Sequence, residues 1–112
     1  MRIALIADLH GNLPALKAVA AHIQTQHIDK IFCLGDLVGK GPRSPETLDW
    51  ARAHCDVVMQ GNWDECIWAG KYLDDDTLTW YRNQLGAERL AYLRSLPLEH
   101  RMMFAGRRVR LL

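Results

Sequence analysis

The first sixty residues contain three short apolar runs, and each run closes on a glycine or on a polar residue of a metal-binding type. The runs lie within the predicted strands Ile3 to Ala7, Lys30 to Leu34 and Asp56 to Gln60, and amphipathic stretches separate them. Continuous apolar runs of this length are typical of parallel strands that are buried on both faces. The pattern therefore predicts a βαβ arrangement and an α/β fold, with helices covering a parallel sheet.

Two helices are predicted between these strands. The first begins after Asn12, a residue suited to the N-cap, and ends near Gln26. The second is predicted to be capped by Ser44 and to end near Ala53. The glycine-rich segment before Ser44 is predicted to be a loop, because glycine and proline disfavour a helix there.

The pattern becomes helical after the third apolar run. Asp76 is predicted to cap a helix that ends at Leu85, and Gly86 to separate it from a second helical stretch that ends at Leu96. Two strands then follow around a turn at Ala105-Gly106. These strands are predicted to cover 98–104 and 107–112.

The last predicted strand runs to Leu112 without the polar loop that closes each of the first three strands. With 112 residues, of which 49% are hydrophobic and 24% charged, the sequence is typical of globular protein. We therefore expect a single, incomplete domain over residues 1–112. An exposed edge strand would favour self-association with another chain.

The charge and cysteine content narrow the partners and the compartment. The 14 basic and 13 acidic residues give a net charge of +1, which indicates neither a nucleic acid nor an anionic membrane as a partner. The arginines near the end are better explained as the solvated face of a hairpin. Three cysteines without a CxxC pair argue against a disulfide framework or a zinc knuckle, and they predict a cytoplasmic protein.

Polar side chains follow each of the first three predicted strands. Asp8, Asp36 and Asn62 lie at or just beyond the strand ends, and the carboxyl ends of neighbouring parallel strands share one edge of the sheet. Taken singly, each of these residues could be a cap or a turn residue. Their repetition at successive strand ends, with His10 in the first loop, predicts a metal site. The predicted ligands are Asp8, His10, Asp36 and Asn62.

Two carboxylates, an amide oxygen and an imidazole form a ligand set that suits Mn²⁺, iron or Zn²⁺. Two such ions lie about 4 Å apart when one carboxylate bridges them, and Asp36 on the central loop is the natural bridge. Gly35 and Gly61 precede two of the ligands. Without side chains, they allow the backbone to turn sharply and to come close to the ions.

These residues form blocks that resemble a known family. Asp8-Leu9-His10, Gly35-Asp36 and Gly61-Asn62-Trp63-Asp64 are similar to the first three signature blocks of the calcineurin-like metallophosphoesterases. The loop from Gly35 to Pro42 resembles the form found in their small bacterial phosphodiesterase branch. The similarity extends to Leu96-Pro97, so it covers nearly all of this chain but only about the first half of the family's domain.

The resemblance implies a double-sheet sandwich flanked by helices, truncated after about half of the domain. It also implies a dinuclear site in which Asp8 and His10 bind one ion, Asp36 bridges and Asn62 binds the other. A metal-bridging hydroxide would then hydrolyse a phosphodiester or a phosphomonoester, so no side-chain nucleophile is assigned. Gly35, Gly61 and Asp64 are expected to support the loops.

The family's later blocks, a His-Gly pair and a Gly-His-x-His block, do not occur in these 112 residues. In addition, many relatives have a histidine where Trp63 stands here. Trp63, Lys40 and Arg43 are expected near the substrate. The alternative hypothesis is a truncated, non-catalytic module that binds metal or another protein.

Overall fold

Two sheets and four helices make up the part of the chain that the computed structural model describes, residues 1–72 and 74–112. The elements in chain order are β1 (Ile3–Ile6), α1 (Leu13–Gln24), β2 (Lys30–Cys33), α2 (Ser44–His54), β3 (Val57–Val58), α3 (Asn62–Trp68), α4 (Asp76–Ser95), β4 (His100–Phe104) and β5 (Arg107–Leu111).

The first sheet is parallel and has the order β1-β2-β3, as the three apolar runs predict. The prediction that β1 is buried on both faces is wrong, because none of its residues is fully buried and Leu5 is 55% exposed. Ile3 pairs with Lys30, and Phe32 pairs with Val57. β3 is shorter than predicted, because only Val57–Val58 pair with β2. The amide of Gln60 instead donates to the carbonyl of Pro97 (2.8 Å), which carries the chain out of the sheet toward the end of α4.

The helix starts confirm one predicted cap and correct another. The side chain of Asn12 accepts a hydrogen bond from the Ala15 amide (3.2 Å) and caps α1 as expected. The prediction that Ser44 caps α2 is wrong, since Arg43 is the N-cap and Ser44 is the first helical residue. The buried Ser44 hydroxyl accepts from the Gly39 amide instead (3.0 Å), so it closes the glycine-rich loop.

The long helix α4 is also capped one residue earlier than predicted. The carboxylate of Asp75, not Asp76, accepts from the amides of Thr77 (2.8 Å) and Leu78 (3.1 Å). The predicted interruption at Gly86 is confirmed, because its φ of 77° and ψ of 169° are not helical.

Helix α3 was not predicted. It begins at Asn62, directly after Gly61, in a segment that the sequence indicated only as the loop closing the third strand. Arg82 of α4 donates to the carbonyls of Ile67 (2.7 Å) and Trp68 (2.7 Å) at the end of α3, and thereby joins the two helices. α3 therefore has a fixed position beside α4.

The core lies between the parallel sheet and the helices. The hairpin of β4 and β5 is antiparallel, with His100 opposite Leu111, and it packs against the parallel sheet, where the His100 ring meets the Phe32 ring edge-on at a centroid distance of 5.6 Å. A cavity of about 150 Å³ separates its apolar side chains from the parallel sheet, and it is lined by Ile3, Leu5, Phe32, Met102, Phe104, Val109 and Leu111. The double-sheet arrangement is thus present, with two strands in the second sheet. The largest fully buried hydrophobic side chains are Leu37, Leu48, Met59, Ile67, Leu85 and Leu93.

Within the two described ranges, none of the helices combines the length and the apolar character needed to cross a bilayer.

Candidate metal centre

The loops after β1 and β2 are joined to each other by backbone hydrogen bonds. The Asp8 amide donates to the Gly35 carbonyl (3.0 Å), and the His10 amide donates to the Asp36 carbonyl (3.0 Å). Asp8, His10 and Asp36 all have left-handed backbones, with φ of 59°, 45° and 58°. Such conformations cost about 1 kcal/mol or more for residues other than glycine, and they often occur at functional sites.

This backbone brings three of the four predicted ligands together. One ligand atom from each of Asp8, His10 and Asp36 lies within 4.8 Å of the other two. His10 Nε2 is 3.4 Å from Asp8 Oδ1 and 3.9 Å from Asp36 Oδ2. The Asp8 side chain is 68% exposed, whereas that of Asp36 is 17% exposed, so the cluster opens to solvent on the Asp8 side.

His10 is oriented by the loop after β2. Its Nδ1 lies 3.0 Å from the carbonyl oxygen of Val38, which can only accept a hydrogen bond. Nδ1 therefore carries a proton, and Nε2, on the side of the two carboxylates, is the ring nitrogen that could bind a metal ion. Metal-binding histidines are commonly held in this way, because the second hydrogen bond fixes both the tautomer and the ring orientation.

Asn62, the fourth predicted ligand, begins α3 next to this cluster and is exposed. The amide of the following residue, Trp63, donates to Asp36 Oδ1 (3.0 Å). The start of α3 is thereby fixed to the predicted bridging carboxylate. The role of Asn62 as a ligand stays a prediction.

Asp64 joins the loop after β2 to the loop after β3. Its side chain is 0% exposed and accepts hydrogen bonds from the amides of Asp36 (2.8 Å), Leu37 (2.9 Å) and Gly61 (2.9 Å). Burial raises the pKa of Asp64 to about 6, although the three amides act in the opposite direction. The sequence indicated only a supporting role for Asp64, and its position three residues after Gly61 is the signal for a cap at the start of α3.

The two glycines before the ligands permit a close approach of the loops. A Cβ atom at Gly35, where φ is 110°, would lie 2.5 Å from the Gly61 nitrogen. A Cβ atom at Gly61 would overlap with the carboxylate and the amide of Asp36. A side chain at either position would thus push the second and third loops apart.

Two of the three predicted rim residues lie beside the cluster. The Trp63 ring meets the His10 ring edge-on at a centroid distance of 5.8 Å, and Lys40 Nζ lies 5.4 Å from the Trp63 ring centroid. Lys40 also lines a cavity of about 530 Å³ together with Asp8 and His10. Arg43 instead pairs with Glu46 (3.3 Å) at the start of α2.

Comparison with known proteins identifies the family. The model of the calcineurin-like phosphoesterases matches residues 1–105. The uncharacterized protein MJ0912 of Methanocaldococcus jannaschii is 35% identical over 113 residues, a match that covers 96% of this chain and 46% of that protein. The symmetrical bis(5'-nucleosyl)-tetraphosphatase of Vibrio vulnificus is 30% identical over 103 residues, covering 84% of this chain and 38% of the relative.

A solved structure agrees with these matches. The metallophosphoesterase of Sphaerobacter thermophilus superposes with a TM-score of 0.77 at 36% identity, covering 93% of this chain and 44% of that one. The chain therefore spans less than half the length of these relatives. The fold, the spacing of the ligand blocks and the family match agree, and the chain belongs to the calcineurin-like phosphoesterases, a family of hydrolases.

Proposed function

We propose that this chain supplies part of a two-metal site that hydrolyses phosphodiesters or phosphomonoesters. The observation that carries the proposal is the cluster of Asp8, His10 and Asp36 at the carboxyl ends of adjacent parallel strands, with ligand atoms within 4.8 Å of one another. Family membership supports phosphoester hydrolysis in general. The proposal also covers the activity of the whole protein and its natural substrate, a phosphodiester or a phosphomonoester.

Each residue has a role that its surroundings support. Asp8 and Nε2 of His10 would bind one ion, and Asp36 would bridge to a second ion with Asn62. The amide of Trp63 holds Asp36 Oδ1, and Asp64 holds the loop beneath it. Divalent ions bound there would act as Lewis acids on the phosphoryl oxygens and would lower the pKa of water. Lys40, in the cavity beside Asp8, adds positive charge for a phosphate group.

The ligand atoms bear on which metal is bound, and the cysteine thiols bear on the cellular compartment. Carboxylate oxygens and an imidazole suit Mn²⁺, iron or Zn²⁺, and we infer that Mn²⁺ is a suitable metal for assays. No disulfide joins the three cysteines, all of which lie in described residues, and this supports the cytoplasm as the compartment.

The alternative is a non-catalytic module that binds metal or associates with another chain. One observation favours it: the described ligands for a second ion are only Asp36 and Asn62, and Asn62 is exposed. The β4–β5 hairpin, with its short strands, offers an edge for association with a second copy.

One experiment separates these two functions. Calorimetry with Mn²⁺ and elemental analysis give the affinity and the stoichiometry, and hydrolysis is followed with bis(p-nitrophenyl) phosphate and p-nitrophenyl phosphate. The name of the Vibrio vulnificus relative makes a bis(5'-nucleosyl) tetraphosphate the third substrate. The variant is Asp36→Asn, with Asp56→Asn as the matched control, because Asp56 is exposed and lies at the start of β3.

The phosphoesterase proposal expects two bound ions and turnover in the whole protein, and it expects Asp36→Asn to abolish turnover and to reduce the metal affinity by at least about tenfold. The control is expected to retain both. One weakly bound ion without turnover on any of the substrates would instead favour the non-catalytic module.

A further inference from the structure

A second cavity, of about 340 Å³, adjoins the candidate metal centre on the side of α3. Its volume lies in the range of small-ligand sites. The predicted ligand Asn62 and the neighbouring Trp63 lie on its wall, so the cavity lies beside the centre. The other residues that matter here are Tyr72, Leu78, Glu65 and Lys71.

The indole of Trp63 has a fixed position between this cavity and the metal centre. Its backbone amide donates to Asp36 Oδ1 (3.0 Å), and its ring meets the His10 ring edge-on. Gly39 supports the ring from behind, since a Cβ atom at that position would overlap with it. The ring is therefore held by the residues that hold the cluster, and it is pre-oriented for a ligand bound there.

The rest of the lining is suited to an uncharged, flat group. Tyr72 contributes a second aromatic ring and is 69% exposed, and Leu78 contributes an apolar side chain. The two charged residues, Glu65 and Lys71, pair with each other at 2.8 Å and so neutralise each other. Lys40 approaches the Trp63 ring at 5.4 Å and is available for a phosphate oxygen.

We propose that this cavity is a subsite for an aromatic ring joined to the phosphoester, either an aryl group or a nucleobase. The ring stacks on Trp63 beside Tyr72 while the phosphate lies at Asp8, His10 and Asp36. Aromatic stacking adds affinity that an alkyl ester cannot gain. The subsite rests on the proposed function, since it places the phosphate at the metal centre.

The test is a comparison of ligands with the same charged group. At saturating Mn²⁺, calorimetry measures the Kd of phenyl phosphate, adenosine monophosphate and methyl phosphate. Stacking of one ring predicts binding about tenfold tighter for at least one of the two aromatic ligands than for methyl phosphate. Similar values for the two aromatic ligands indicate a general ring site, and a clear preference for one identifies an aryl or a nucleobase ligand. Methyl phosphate binding as tightly as both would overturn the proposal.

Variants locate the ring. The ratio to follow is the Kd of methyl phosphate divided by the Kd of the tighter aromatic ligand. Trp63→Ala and Tyr72→Ala are each expected to reduce this ratio several-fold, whereas Trp63→Phe is expected to retain most of it. The matched control is Trp80→Ala, because Trp80 is a 50% exposed tryptophan of α4 that is not part of the cavity lining. An unchanged ratio in every alanine variant that folds would also overturn the subsite. Tyr72→Ala keeps this test available if Trp63→Ala does not fold, since Tyr72 is exposed.

Failure of the proposed function is distinguishable from failure of the subsite. The Mn²⁺ isotherm without ligand tests the function alone. The indole N–H resonance of Trp63 tests the subsite without a metal: it should shift with phenol or adenosine, which carry the aromatic ring without the phosphate, and not with methyl phosphate. Absence of that shift with both aromatic ligands counts against the subsite whether or not Mn²⁺ binds.

Discussion

At the scale of single residues, Asp64 holds the candidate centre together without being one of its predicted ligands. One carboxylate accepts three amides from two different loops, and its oxygens are inaccessible to water. An unsatisfied buried donor costs about 1–3 kcal/mol, so the loss of one acceptor oxygen has a large effect.

The substitution Asp64→Asn tests this role. One side-chain oxygen can serve the amides of Asp36 and Gly61, but the amide of Leu37 would then face an NH₂ group. We expect the free energy of unfolding to fall by about 2 kcal/mol at pH 7. Urea denaturation measures it. The control Asp56→Asn, at an exposed carboxylate that accepts the Ile31 amide, should cost less than about 1 kcal/mol. Equal costs would contradict the role of Asp64.

The raised pKa of Asp64 predicts a specific pH dependence in the metal-free protein. The pKa rises from 3.8 to about 6 on folding, chiefly through burial. Between these values the folded state holds a proton that the unfolded state has released, so the contribution of this group to the free energy of unfolding falls as pH rises. Carboxyl ¹³C NMR should give a midpoint near 6. Denaturation of wild type and Asp64→Asn across the same window should show that the variant lacks this decrease. A midpoint below 3.8 would mean that the amide donors outweigh burial.

At the scale of elements, the start of α4 distinguishes two adjacent carboxylates. Asp75 accepts two amides of the first turn, whereas Asp76 is itself the first helical residue. Asp75→Ala should therefore cost about 1 kcal/mol of stability, the usual value for a lost N-cap. Asp76→Ala should cost about 0.3 kcal/mol, since it removes only a favourable charge near the helix dipole. Thermal denaturation of the two variants measures the order, and the reverse order would restore Asp76 as the cap.

The elements also show what the sequence could predict. Apolar runs of strand length predict the parallel sheet, but the burial on both faces that such runs indicate is not found for β1, in which Leu5 is 55% exposed. Gly86 was correctly predicted to interrupt α4. Caps were less predictable, since adjacent residues such as Asp75 and Asp76 have the same capping chemistry, and only the backbone decides between them. Helix α3 was missed because it has seven residues and begins directly after Gly61, without a linker.

The candidate metal centre was likewise predictable from the sequence only in part. Convergence of Asp8, His10 and Asp36 could be predicted, because parallel strands end at one edge of the sheet. The hydrogen bonds from the amides of Asp36 and Leu37 to Asp64, and the one from His10 to Val38, could not. They depend on how three loops fold against one another, and no sequence pattern encodes that geometry.

At the scale of the whole molecule, the described residues form an elongated body. The radius of gyration is 14.5 Å, compared with about 13 Å for a compact domain of this length. The β4–β5 hairpin lies across a cavity of about 150 Å³ from the parallel sheet, so its support is incomplete. Two-stranded hairpins are only marginally stable on their own.

The hairpin should therefore open more readily than the parallel sheet. We expect the cross-strand amides of β4 and β5 to exchange with deuterium faster than those of β2, which pairs on both sides. Hydrogen exchange followed by NMR measures both sets in the same sample. Equal protection would show that the two layers unfold as one unit.

The left-handed backbones of Asp8, His10 and Asp36 lower the stability of the fold, whereas the side chains at these positions serve the proposed metal binding. Glycine adopts such φ values without strain, so replacing a ligand by glycine would relieve the backbone while removing a donor. Selection for folding alone, as in a library sorted by protease resistance, is therefore expected to replace these three predicted ligands. Their retention would require selection for the bound ions, and a stabilised design of this scaffold must keep these positions fixed.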